Sequence, residues 1–161
     1  MYKRQEEPRS DGDLRLRGAS SETPLPSHRG VRALAVVELD GDEEPEIIVG
    51  DGWHHRYGTD GDPRVVLISG PSFTDARTIA WLDGDYAARA FEVDGTGREA
   101  RILVTGARGV TLLQRDPLGW SPTFVGPVAE TGNAVLARQE GRISVVISGK
   151  PAVRIPLENA P

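Results

Sequence analysis

Glu38-Leu39-Asp40-Gly41-Asp42-Glu43-Glu44-Pro45-Glu46 is the stretch on which the reading of this chain turns. It lies between two apolar runs, residues 31–37 and 47–49, whose side chains, Arg32 and Leu34 apart, are β-branched or small and which are too short for lone helices. Two strands joined by an acidic turn follow from that pattern. Six of the nine residues are acids and none is basic. So much like charge in one tight turn is unfavourable unless water or a cation screens it. Glu38, Asp40 and Asp42 occupy the first, third and fifth positions, a spacing that lets one loop turn all three side chains inward. A hard cation such as Ca²⁺, which takes about six to eight oxygen ligands, suits that arrangement. A solvated hairpin turn accounts for the same residues, because Asp-Gly is an ordinary turn dipeptide. An EF-hand does not fit: no helical pattern flanks the loop, Glu43 stands at the glycine position and Val49 at the twelfth.

Outward from this turn the pattern recurs. Residues 92–99 resemble the acidic turn, residues 86–92 and 101–105 its flanking strands, and residues 110–114 the strand at 64–69 that follows it. A third, more divergent copy comprises 134–138, a turn at Glu140-Gly141, 143–148 and 152–157. Gly41, Gly95 and Gly141 are spaced by 54 and 46 residues. A unit of about fifty residues holding about four short strands is the signature of a propeller blade. Helical solenoids of similar period need amphipathic helices, which this sequence lacks. A single β-sandwich whose hairpins are alike by chance is the competing architecture.

Composition agrees with an all-β chain. Its 161 residues include 19 Gly and 12 Pro, with 38% hydrophobic and 6% aromatic residues, which favours short strands and tight turns. The net charge of −5 argues against a nucleic-acid backbone or an anionic membrane as partner. There is no cysteine, hence no disulfide and no thiolate metal site. No apolar run reaches membrane-spanning length and no signal segment is evident. Residues 1–30 are expected to be a tail and linker, with a short edge strand at 14–17 and a Pro24- and Pro26-bearing linker at 18–30. Residues 31–161 carry the repeats, at about 31–82, 83–128 and 129–161.

The first repeat resembles the FG-GAP/VCBS family, the blade repeat of integrin-α-like propellers. The family unit is an apolar strand, then D-x-D-G-D-G-x-x-D, then an apolar strand ending near Gly. Here Ala33-Leu34-Ala35-Val36-Val37 leads into Glu38-x-Asp40-Gly41-Asp42-x-x-x-Glu46 and Ile47-Ile48-Val49-Gly50. The resemblance implies Ca²⁺ held by Glu38, Asp40, Asp42, Glu46 and the backbone carbonyl of Glu44. Glu replaces Asp at the first and ninth positions, and Glu43 replaces a glycine where an unusual backbone angle is often required. An affinity no tighter than extracellular calcium modules, roughly 10⁻⁴–10⁻³ M, is expected. In the second repeat only Glu92, Asp94, Gly95 and Gly97 match, which predicts a structural turn. The third repeat is expected to bind no ion.

Together these readings predict an all-β chain of about three four-stranded antiparallel blades, a partial propeller belonging to a larger ring, since closure takes about four to eight blades. Its expected function is a non-catalytic binding or scaffold module with one degenerate calcium loop. The expected partners are a protein or carbohydrate ligand, and either neighbouring blades of a longer parent or a self-associating copy. The resemblance points to a secreted, periplasmic or cell-surface setting. Two rivals stand beside it: a propeller lyase or hydrolase using the His54/His55 loop within Asp51-Gly52-Trp53-His54-His55-Arg56-Tyr57, and a metal-free β-sandwich adhesion domain. Adjacent histidines on an extended chain point to opposite sides, which argues against both ligating one ion. Trp81 and Trp120 are expected to pack between blades.

Overall fold

A computed structural model of the protein describes residues 15–17, 22–24, 31, 33–51, 63–82, 88–106, 109–129 and 132–157. The strands form because short β-branched runs are interrupted by glycine-bearing turns at nearly every reversal. β1 (Arg15–Arg17) and β2 (Glu22–Pro24) pair as a small antiparallel ribbon. The strand expected at 14–17 is present, whereas the segment read as linker contributes β2. Two prolines close together had suggested a linker, yet Pro24 ends a strand in a two-stranded ribbon, where a missing N–H costs little.

The first large sheet is a meander of β3 (Ala33–Val37), β4 (Glu46–Asp51), β5 (Arg64–Ser69) and β6 (Asp75–Trp81). The second repeats that plan with β7 (Ala88–Asp94), β8 (Arg101–Gly106), β9 (Gly109–Asp116) and β10 (Gly119–Pro127). A single 3₁₀ turn, Gly97–Glu99, lies between β7 and β8. The third sheet has β11 (Ala134–Gln139), β12 (Arg142–Ile147) and β13 (Val153–Leu157), three strands among the described residues where four were expected. All pairings are antiparallel, and each of the three sheets is built from consecutive strands. The chain is thus all-β, in small sheets that form no closed ring among the described residues. No helix among the described residues is long and apolar enough to cross a membrane.

The sheets stack face to face because their middle strands are apolar on both sides. In β4, Ile48 joins the core between the first and second sheets, while Ile47 and Val49 join a cluster on the opposite face. In β8, Ile102 and Val104 face the first sheet and Leu103 the third. Such two-sided strands read as continuous hydrophobic runs, not as alternation. The sheet edges nearest one another are β3 and β7, which run in the same sense. A Cβ built on Gly50, opposite Ala33, would sit 2.6 Å from the Ala88 Cβ at the start of β7. At the other end the Gly97 N–H donates to the Leu39 carbonyl at 2.8 Å. On its other side the second sheet meets the third, with β11 against β7 and β8.

Trp120 packs against the core between the first and second sheets, as expected, whereas Trp81 is 52% exposed with the Arg64 guanidinium over its ring.

Candidate metal centre

The acidic loop is fixed at its two ends. The register places Val37 opposite Glu46, so the β3–β4 hairpin closes around residues 38–45. Leu39 anchors the loop to the core: its side chain is 1% exposed, its N–H donates to the Glu46 carboxylate at 2.7 Å, and its carbonyl accepts from Gly97. The carbonyl also faces Nη1 of Arg115 at 3.5 Å. Between these anchors the loop winds tightly. Gly41 has φ +92° and Glu43 φ +71°. The position at which a glycine was missed in the sequence is therefore one that adopts the left-handed region.

That conformation costs a residue with a Cβ about 1–2 kcal/mol. Glu43→Gly is therefore expected to stabilise the protein by about 1 kcal/mol, after allowing for the greater unfolded-state freedom of glycine. A urea midpoint that does not rise would contradict this account of the loop.

Glu38, Asp40 and Asp42 each offer an oxygen within 4.8 Å of the others. Three carboxylates are brought together by the loop's own backbone: the Gly41 N–H donates to Glu38, the Asp42 N–H to Asp40 at 3.3 Å, and the Glu44 N–H to Asp42 at 2.8 Å. Asp40 and Asp42 are exposed and Glu38 half-buried. The Glu44 residue, expected to lend its carbonyl, is exposed beside them.

Glu46 is placed differently from its three companions. It is 3% exposed, since it opens β4 and shares the face of Ile48 and Gly50 that looks toward the second sheet. One of its oxygens is spent on the Leu39 N–H. Burial pushes its carboxyl above the usual 4.5; the Leu39 N–H opposes this, and the charges of Asp40, Asp42 and Glu38 add to it. These four acids thus form one electrostatic group, three at the loop surface and one beneath.

The sign of the pH effect follows. A carboxyl whose native pKa is raised holds its proton longer folded than unfolded, so its contribution is most favourable below pH 4.5. That contribution is lost as pH rises through the higher native value. Glu46→Gln keeps an acceptor for Leu39 and removes the charge. It is expected to flatten this limb, so that wild type loses stability relative to the variant between about pH 4.5 and neutrality. Thermal melts across that range, compared pairwise, read the difference; parallel curves would contradict it.

The acids of the second repeat do other work. Glu92 accepts from the Leu136 N–H of β11 at 2.9 Å, and Asp94 takes two nitrogens of Arg138 at 2.7–2.9 Å, with Arg101 at 3.7 Å. They clasp the third sheet. Matching Gly41 with Gly95 pairs these acids with Glu38 and Asp40. The sheet faces pair them instead with Val37 and Leu39, which contact the following sheet in the first repeat. A one-residue slip in a strand exchanges its faces, so the likeness of the acidic turns runs one residue out of phase with the sheets.

No family model, curated protein or solved structure matches this chain.

Asp51, at the head of the histidine loop, is described: it is 1% exposed and accepts from Nε and Nη2 of Arg64 at 2.9 and 2.7 Å. This pair ties β4 to β5 and explains an acid that sequence reading had assigned to the loop. His54 and His55 lie outside the described residues. The arginines gathered beside the loop, Arg77, Arg98 and Arg115, were missed in the sequence because they are spread over 38 positions and only stacking unites them.

Proposed function

We propose that this chain is a non-catalytic binding or scaffold module built of propeller-type blades, in which Ca²⁺ bound at the loop of residues 38–46 pins the first inner hairpin. The observation that carries the reading is the convergence of Glu38, Asp40 and Asp42 to within 4.8 Å. Three carboxylate oxygens at that spacing are a donor set for a hard cation. Glu46 beneath them has a second oxygen beyond the one held by Leu39, and Glu44 has its carbonyl at the loop surface. The ion would cancel the mutual repulsion of the acids and share the carboxylates with the bonds they make to their own loop. The blade reading is supported by successive meanders stacking face to face with β3 and β7 side by side in the same sense. A weak calcium site of this kind suits a compartment outside the cytoplasm, where Ca²⁺ is abundant. The outer face of the third sheet would meet a further blade, from a longer parent or a second copy.

The test is a thermal melt of the full chain with Ca²⁺, with Mg²⁺ and with chelator. At ten times the dissociation constant, binding to the native state adds about 1.4 kcal/mol. A midpoint rise specific to Ca²⁺, lost in the Asp40→Ala/Asp42→Ala double variant, is the expected result. A calcium response that survives in that variant rejects the site, and a midpoint indifferent to Ca²⁺ in the parent rejects the metal reading while leaving the fold untouched.

A further inference from the structure

Beside the acidic loop, at the end of the interface between the first and second sheets, lies an open cleft of about 860 Å³. Its position follows from strand alternation. Arg77 pairs with Leu67 in the first sheet and shares that residue's face toward the second sheet. Arg115 shares the face of Leu113 in β9, and Trp120 lies directly opposite it on β10, with the guanidinium carbon 6.0 Å from the ring centroid. Arg98, in the 3₁₀ turn, forms a further wall.

Three guanidinium groups in one cleft are unexpected in a chain of net charge −5. Arg77 and Arg98 are exposed, and neither makes an ion pair among the described residues. Asp116, also at the wall, is turned into its own hairpin, accepting from the Ser121 hydroxyl and, at 2.7 Å, from the Leu118 N–H. Asp40 is the one other acid of the cleft among the described residues. Of the other lining residues Thr78 is polar, while Ile79, Pro117, Leu118 and Trp120 supply apolar wall. The Trp120 indole N–H is buried and makes no hydrogen bond among the described residues. Forked cationic donors suit carboxylate oxygens taken two at a time, and apolar walls suit a carbon frame. The volume lies within the range of small-molecule sites, about 300–1,000 Å³.

We propose that this cleft binds a small organic polycarboxylate, with Arg77 and Arg98 as its movable cationic clamps, Arg115 as a fixed one, and Asp40 as an opposing charge. Cationic and apolar groups together distinguish such a ligand from a bare inorganic anion. The site shares Asp40 with the acidic cluster, but its arginine clamps lie outside that cluster, so capture of the ligand does not rest on the calcium reading.

Citrate is the probe, titrated into the full chain by calorimetry at constant ionic strength, with sulfate as the inorganic comparison. One saturable citrate site is expected, at least fivefold tighter than any for sulfate. Arg77→Gln/Arg98→Gln should weaken it about tenfold, and Asp40→Asn should tighten it about two- to threefold, as expected for partly screened charge contacts. Arg154→Gln, on the third sheet, alters net charge equally for one residue and should change nothing. Both clamp residues are exposed, so an unchanged melt checks that the double variant folds. Absent citrate binding, equal binding of sulfate, an unaffected double variant, or an equal loss in Arg154→Gln would each overturn the proposal.

Discussion

Leu39→Ala is expected to lower the unfolding free energy by about 3 kcal/mol, more than any substitution among the acids around it. The side chain is 1% exposed within the core shared by the first and second sheets. Its truncation removes buried methyl groups and leaves a cavity that the surrounding strands fill only in part. The residue's backbone adds to the effect. Its N–H and carbonyl hold Glu46 on one side and Gly97 on the other, so a loosened Leu39 releases both the loop and the contact between sheets. Urea denaturation followed by circular dichroism measures the change. A loss below about 1 kcal/mol would mean that the loop is only draped over the sheets and not anchored in them.

Gly50→Ala is expected to cost about 2 kcal/mol, although alanine is the smallest change a glycine can undergo. The new Cβ would lie 2.6 Å from the Ala88 Cβ and 3.3 Å from both the Ala33 Cβ and the Phe91 ring. Neither alanine has a rotatable side chain with which to withdraw, so the sheets must separate. Ala88→Gly removes the atom struck and should restore most of the loss in the double variant. That rescue requires β4 and β7 to be stacked as described; two independent losses that simply add would refute the stacking. Gly126→Ala serves as control, because its Cβ would meet Ile147 at an ordinary 3.4 Å and should shift stability by less than about 0.5 kcal/mol.

Much of the strand plan was legible in the sequence. The strand expected at 64–69 is β5 as observed, and those at 101–105, 134–138 and 143–148 agree with β8, β11 and β12 to within a residue at each end. The apolar runs that announced them are the buried middles of sheets, where both faces need hydrophobic residues. β10 was not read, because Pro122 and Pro127 and its glycines punctuate it and most of its side chains are exposed. It is an edge strand, the one place in a sheet where a missing N–H is tolerated. At the loop, acid spacing correctly gathered Glu38, Asp40 and Asp42, since that depends only on local turn geometry. Glu46 was grouped with them by its match to the ninth loop position of the family unit. Its period-two relation to Ile48 and Gly50 was the available signal that it points inward. The arginine cleft left no such trace, because it is a product of stacking and not of spacing.

The two boundaries between sheets are made of different materials. The first is apolar, closed at its end by a backbone bond from Gly97 to Leu39. The second has a comparable apolar centre but is bolted by charge: Arg138 on Asp94, Glu92 on the Leu136 N–H, and Arg89 on the Gly132 carbonyl at 2.9 Å. Dissolved ions screen partly exposed charges and leave buried hydrocarbon contacts intact. Salt is therefore expected to loosen the second boundary more than the first, with faster amide exchange in β11 than in β3 as the measure of it. A pile of alike layers would have no preferred place to part; one mismatched fastening gives this one such a place.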